Sequence, residues 1–216
     1  MKILAVSDEE CDALWDYYVP GRLSEYDLII SCGDLKADYL SFLVTMGRCP
    51  VLYVHGNHDT SYAHFPPEGC DCIDDHIVVY NGIRILGLGG CLRYHPGEHQ
   101  FTDAQMHRRI RKLKRLLNKM GGVDIVVTHA PPRGVGDGED QPHWGFEALR
   151  ELLDQYQPQY LIHGHIHLRY GSNQRERQYG KTQVINVSER YVLELPDETF
   201  PEQFRNQLVW RTKHKD

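Results

Sequence analysis

The chain has 216 residues, 41% of them hydrophobic and 25% charged, with a formal net charge of −6. That balance is globular and excludes a disordered chain, and the length suits one domain over residues 1–216 with a sizeable core. No apolar run reaches the ~18 residues of a membrane-spanning helix, and the negative net charge gives no hint of a polyanion partner.

The chain opens on an apolar run, Lys2 to Ser7, that reads as a buried strand. Residues 26–31 and 50–55 read the same way, and a helix fits 36–46 between them. The runs 76–80 and 83–89 flank Asn81-Gly82, a dipeptide that favours positive φ and predicts a tight hairpin. A long helix fits 103–120, where Ile110, Leu113, Leu116, Leu117 and Met120 form a stripe at helical spacing and Gly121 supplies a stop. A strand over 123–128 leads to a surface loop rich in Pro, Gly and Asp over 131–145. A helix over 145–156 and a strand over 159–163 follow, then an antiparallel pair from 182–187 and 190–195. The last dozen residues are polar and read as a fraying end. Early strand–helix alternation with later hairpins predicts a mixed α/β architecture.

The six cysteines are scattered. Cys70 and Cys72 are close, but their spacing is not that of a zinc-binding CxxC. Cys32 and Cys49 flank strands and are expected to pack as small hydrophobes. With no signal-peptide pattern before the first strand, these features predict a reduced, cytoplasmic protein.

Five short segments, most of them after an apolar run, carry metal-ligand side chains. They are Ser7-Asp8-Glu9-Glu10, Gly33-Asp34, Gly56-Asn57-His58-Asp59, Thr128-His129-Ala130-Pro131 and Gly164-His165-Ile166-His167. A carboxylate at the carboxyl end of a buried strand can point into a crevice. Asp34 has two oxygens and can bridge two ions, while Asn57 offers a neutral amide oxygen. Three histidines, one asparagine and two or three carboxylates suit Mn, Fe, Zn or Co better than calcium, which takes oxygen ligands only.

The order Asp-x-(His), Gly-Asp, Gly-Asn-His-Asp, Thr-His-x-Pro and Gly-His-x-His resembles the calcineurin-like metallophosphoesterase superfamily, from residue 3 to about residue 190. The run His163 to His167, the Tyr170-Gly171 that follows, Ile185 to Ser188, and Asp140-x-x-His143-x-Gly145 are similar to its small, uncapped phosphodiesterases. The resemblance implies a four-layer α/β/β/α sandwich of two mixed sheets flanked by helices, with a dinuclear site at the sheet edge. It assigns Asp8, the residue at position 10, Asp34 and His167 to one ion. Asn57, His129, His165 and a shared Asp34 hold the other. His58 acts near the leaving group, and Asp59 is placed to orient its ring.

This chain departs from the pattern at Glu10, where the superfamily usually has histidine. If Glu10 ligates, two divalent ions with three carboxylates and a hydroxide form a neutral site, one unit more negative than with an imidazole. That weakens Lewis acidity and favours Mn or Fe over Zn, with Ni, Co or a mixed-valence pair as further choices. Alternatively Glu10 turns away and water fills its place. Glu9 is the poorer substitute, since adjacent side chains point in different directions.

The implied reaction is hydrolysis of a small phosphate ester, most readily a diester, by a metal-bridging hydroxide, with His58 protonating the leaving oxygen. Arg93 and Tyr94 are placed to clamp phosphate or stack on a base, and His143 to contact substrate. The helix segment 107–119 carries His107, Arg108, Arg109, Arg111, Lys112, Lys114, Arg115 and Lys119. It can be a solvated face or a nucleic-acid surface, which leaves a nuclease as an alternative; no aromatic residues interleave to stack on bases. A non-catalytic binding module with a weakened first site is the other alternative.

Overall fold

A computed structural model describes residues 1–168 and 174–196, and the backbone of 208–211. Fourteen strands and three α-helices are formed within them. The strands are β1 (Lys2–Ser7), β2 (Leu28–Ser31), β3 (Val51–Tyr53), β4 (Asp71–Cys72), β5 (Ile77–Tyr80), β6 (Ile83–Leu88) and β7 (Cys91–Leu92). They continue with β8 (Gln100–Phe101), β9 (Ile125–Thr128), β10 (Tyr160–His163), β11 (Glu176–Tyr179), β12 (Thr182–Asn186), β13 (Glu189–Glu194) and β14 (Leu208–Arg211). The helices are α1 (Ala37–Gly47), α2 (Asp103–Lys119) and α3 (Glu147–Tyr156).

One sheet runs β13-β1-β2-β3-β4 and the other β11-β12-β10-β9-β6-β5-β14, both mixed, with β7 and β8 as a small separate pair. Period-2 alternation splits the apolar runs between two faces. Ile3, Ala5, Leu28 and Ile30 meet Ile85, Ile125, Val127 and Ile162 between the sheets. Leu4, Val6 and Ile29 turn outward onto Tyr39, Leu40 and Leu43 of α1. On the far side Leu86, Val126 and Leu161 pack against Met106 and Leu117 of α2 and Leu149, Leu152 and Leu153 of α3. The result is the four-layer sandwich. Continuous apolar strands arise here because both faces of each central strand are covered.

Thr102 and Gln105 close a reciprocal capping box at the start of α2, and Leu117 of its apolar stripe is fully buried. The hairpin β5–β6 turns at Asn81 and Gly82, both at positive φ. The pairing expected between 182–187 and 190–195 is not formed. β12 pairs with β10 and β11 in one sheet, while β13 pairs with β1 in the other. The chain crosses between sheets at Val187 and Ser188, both buried, with Glu189 at φ 63°. Strand propensity is local, whereas partner choice is set by which core face each strand covers. The strands β4, β7, β8 and β11 are short or polar edge elements without a long apolar run. Of the end expected to fray, residues 208–211 form β14, which pairs with β5; the rest, like Tyr170-Gly171, lies outside the described residues.

Candidate metal centre

The carboxyl ends of β1, β2, β3, β9 and β10 open on one edge of the sandwich, so the turns after them bring residues from both sheets together. The focus is Nε2 of His129, which is fully buried. It lies 3.1 Å from Asn57 Oδ1, 3.1 Å from His165 Nδ1 and 3.3 Å from Asp34 Oδ2. The outward nitrogens are tied to backbone carbonyls: His129 Nδ1 to Cys32 at 2.8 Å and His165 Nε2 to Pro142 at 2.8 Å. Those bonds place protons on the outer nitrogens and direct the two remaining lone pairs at the cluster, as outer partners do for metal-bound histidines. Two imidazole lone pairs, an amide oxygen and a carboxylate oxygen aimed at one point repel one another unless a cation lies among them. Asp8, Asp34 and His129 also offer ligand atoms within 4.8 Å of one another. The donor set fits a transition-metal ion of N/O preference.

Electrostatics points the same way. Burial pushes the Asp34 carboxyl up, but the charge and hydrogen bond of His129 outweigh it and bring it down to about 2. Burial opposes charge on His129, yet the Asp34 carboxylate raises its pKa to about 9. Burial and the neighbouring His129 charge lower His165 to about 3. The cluster thus stabilises positive charge at its centre, whether proton or metal ion.

Backbone strain accompanies the ligands. Asp8, Asp34 and His165 have φ of 66°, 57° and 68°, a region costing L-residues roughly 1–2 kcal/mol each. Asp8 accepts the His165 N–H through both carboxylate oxygens, at 2.9 and 3.1 Å. A Cβ on Gly164 would fall onto Ser7 Oγ and the Asp8 carboxylate, and one on Gly56 would fall onto Asp34. These glycines precede ligands because only a hydrogen fits beside the carboxylates.

The remaining expected residues take distinct places. Asp59 is buried, and its Oδ2 accepts the backbone N–H groups of Gly56 (2.7 Å) and Asp34 (2.9 Å), stitching two ligand turns together. Burial raises its pKa to about 6. His58 donates its N–H to Asp34 Oδ1 at 2.8 Å, while its ring, 75% exposed, stands with Nε2 4.0 Å from Asp34 Oδ2. His167 and Glu9 pair at 3.2 Å, with side chains 55% and 61% exposed. Glu10 Oε1 accepts the Lys36 N–H at 3.3 Å and faces its ammonium at 3.6 Å. The cluster around His129 Nε2 therefore includes neither His167 nor Glu10.

The Tyr94 hydroxyl lies 3.5 Å from Asn57 Nδ2, while Arg93 is turned to the Gln100 carbonyl and the Gln105 side chain. His143 bonds Asp140 at 2.7 Å and lies with its ring 5.5 Å from that of His165. With His167 and Arg177 it lines a cavity of about 410 Å³. The basic helix is less uniform than its sequence: Arg109 turns inward onto Asp75 and the Gly89 carbonyl, and His107 sits between Asp103 and Glu151. Its other six cations are all exposed. The backbone partners at Cys32 and Pro142 carry no sequence signal, because a carbonyl has no side-chain identity; Asp59, expected to orient the His58 ring, has its carboxylate on the Gly56 and Asp34 N–H groups.

The family model for calcineurin-like phosphoesterases matches residues 1–169, and the chain belongs to that family. The family is one of metal-dependent phosphoester hydrolases. The chain is 25% identical over 213 residues to the "UPF0046 protein K07C11.7" of Caenorhabditis elegans, covering 88% of this chain and 70% of that one. It is 23% identical over 217 residues to the lariat debranching enzyme of Schizosaccharomyces pombe, covering 74% of this chain and 47% of that one. The chain thus spans about half the length of that debranching enzyme. Among solved structures it is similar to TT1561 of Thermus thermophilus, with a TM-score of 0.60, 17% identity, and 87% and 89% coverage, a likeness of fold. No helix among the described residues is long and apolar enough to cross a membrane.

Proposed function

We propose that this chain hydrolyses phosphate diesters at a centre of two divalent ions. The carrying observation is the convergence of Asn57, His165 and Asp34 on the lone pair of His129, with Asp8 beside them. Asn57, His129, His165 and Asp34 would hold one ion. Asp8, Asp34 and His167 would hold the other, with an acidic side chain from Glu9 or Glu10. Ions bound there supply Lewis acidity and lower the pKa of water from about 15.7 to near 7; Mn or Fe suits the carboxylate-rich half best.

The chain's own residues do the rest. Asp59 holds the Gly56 and Asp34 turns in register, so the Asp34 carboxylate and Asn57 keep their spacing. His58, anchored through its backbone with its ring exposed, carries a proton to the leaving oxygen. Tyr94 steadies Asn57, and the cavity beside His143 and His167 receives one arm of the ester. Its volume lies in the range typical of small-molecule sites.

Turnover of bis-p-nitrophenyl phosphate and p-nitrophenyl phosphate by Mn²⁺-loaded protein tests the reading. Faster diester cleavage, abolished by Asp34→Asn, supports it; metal-loaded protein inert to both esters and to cyclic nucleotides refutes it. That second outcome would favour a binding module, a reading drawn from one observation: Glu10 is occupied by Lys36 and the exposed half of the site is loosely built.

A further inference from the structure

A second group of metal-ligand side chains lies outside this cluster. We propose that His55, Cys72 and Asp74 form a separate site for a single Zn²⁺ ion. His55 lies just after β3, and Cys72 and Asp74, two positions apart, come from the edge strand β4 and the turn after it. His55 Nδ1 lies 2.7 Å from Asp74 Oδ2 and 3.7 Å from Cys72 Sγ, and ligand atoms from all three fall within 4.8 Å of one another. Cysteine and aspartate approach the same nitrogen. A catalytic triad would use opposite nitrogens of the ring, so the geometry is that of a shared ion rather than a relay.

Distances and charge both suit zinc. An ion about 2.0 Å from nitrogen and about 2.3 Å from sulfur at a tetrahedral angle separates them by about 3.5 Å, close to the 3.7 Å found. The same geometry places nitrogen and oxygen about 3.3 Å apart, so the Asp74 carboxylate moves back by roughly half an ångström from its hydrogen-bonded position. Thiolate, carboxylate and neutral imidazole balance one divalent ion. Binding releases the Nδ1 proton of His55 and the thiol proton of Cys72 to solvent. Thiolate with imidazole selects zinc over the harder ions suited to the Asp34 cluster.

Support around the group is already in place. Asp74 Oδ1, the oxygen left free of the ion, accepts the Gly89 N–H at 2.5 Å and faces Arg109 at 3.7 Å. The His55 N–H reaches Asp74 Oδ2 at 3.2 Å, and the His99 ring stacks on His55 at 4.3 Å and 8°. A stacked ring cannot aim a nitrogen at the same point, so His99 orients His55 and a water completes the fourth position. All three ligand residues are partly exposed, which leaves an entry path. Asp74 also bridges to Gly87 of β6, so an ion here ties the edge of one sheet to the other.

Cobalt substitution tests this, because only a thiolate ligand gives a near-ultraviolet sulfur-to-cobalt charge-transfer band, and the Asp34 cluster contains no sulfur. Chelator-stripped protein titrated with Co²⁺ should develop the band. It should be lost in Cys72→Ser and retained in Cys70→Ser and in Asp34→Asn. Absence of the band at saturating Co²⁺, or its persistence in Cys72→Ser, overturns the proposal. Retention in Asp34→Asn separates this site from the hydrolytic centre. In wild-type protein, Zn²⁺ should abolish alkylation of Cys72 by iodoacetamide as read by mass spectrometry; an unchanged rate overturns the site without recourse to any variant.

Discussion

The two halves of the proposed dinuclear centre are built differently. Around His129 every side chain is buried or nearly so, each imidazole is fixed by a backbone carbonyl, and neighbouring turns are stitched by Asp59. Beyond Asp8 and Asp34, the other half draws on His167 and Glu9, both exposed, and on half-buried Glu10, and Glu9 and Glu10 point to different partners. The first half is pre-organised, and the second would be completed by its ion. Pre-organised ligands lose little conformational freedom on binding, whereas exposed ones must be ordered at that moment. Metal affinity should therefore be unequal, with the His129 half filling first.

Five substitutions probe that inequality, in descending size of effect. Asp34→Asn removes the shared carboxylate; diester turnover should fall to background and bound metal below one ion per chain by elemental analysis. Two ions retained would show that Asp34 is not the bridge. His58→Ala should lower turnover by about 10²–10⁴-fold, the usual contribution of a general acid, with metal content unchanged. Loss of metal in that variant would make His58 a ligand. His167→Ala should weaken only the later step of a Mn²⁺ calorimetric titration, by about 10-fold or more, judged from outer-partner losses of 10–100-fold. Equal weakening of both steps would erase the proposed asymmetry. Finally, Glu10→Gln should change stability by no more than about 0.5 kcal/mol, as for a surface site, and Glu9→Gln should change the later Mn²⁺ step more than Glu10→Gln does. The reverse order would mean that Glu10 leaves Lys36 and ligates.

Much of this site was legible because strand ends and ligand types coincide in sequence. Asp8, Asp34, Asn57, His129 and His165 each follow an apolar run, and such runs end where side chains meet solvent or metal. The four layers were legible through the family resemblance, and alternation along β1 and β2 explains them physically. What stayed hidden depends on tertiary partners. β13 leaves β12 for a strand at the opposite end of the chain, as Lys2 pairing with Glu194 shows, and no local pattern announces that choice. The direction of Glu10 depends on Lys36, the residue just before α1, which no spacing rule connects to it. The inward turn of Arg109 arises from Asp75 and Gly89, so a basic stripe in sequence overstated the charge facing solvent.

The pairing of β1 with β13 carries a consequence for how the protein is made. β1 sits between β2 and β13, so it gains its second neighbour only when residues 189–194 have left the ribosome. The Met1 nitrogen likewise waits for the Leu195 carbonyl, 2.8 Å away in the folded chain. Contacts of such long sequence separation slow folding because the loop must close before any of them forms. Until then one edge of β1, Lys2 to Ser7, stays open to pairing with other chains. A nascent chain stalled before residue 189 should bind a strand-seeking chaperone or aggregate, whereas one released beyond residue 196 should resist protease along β1.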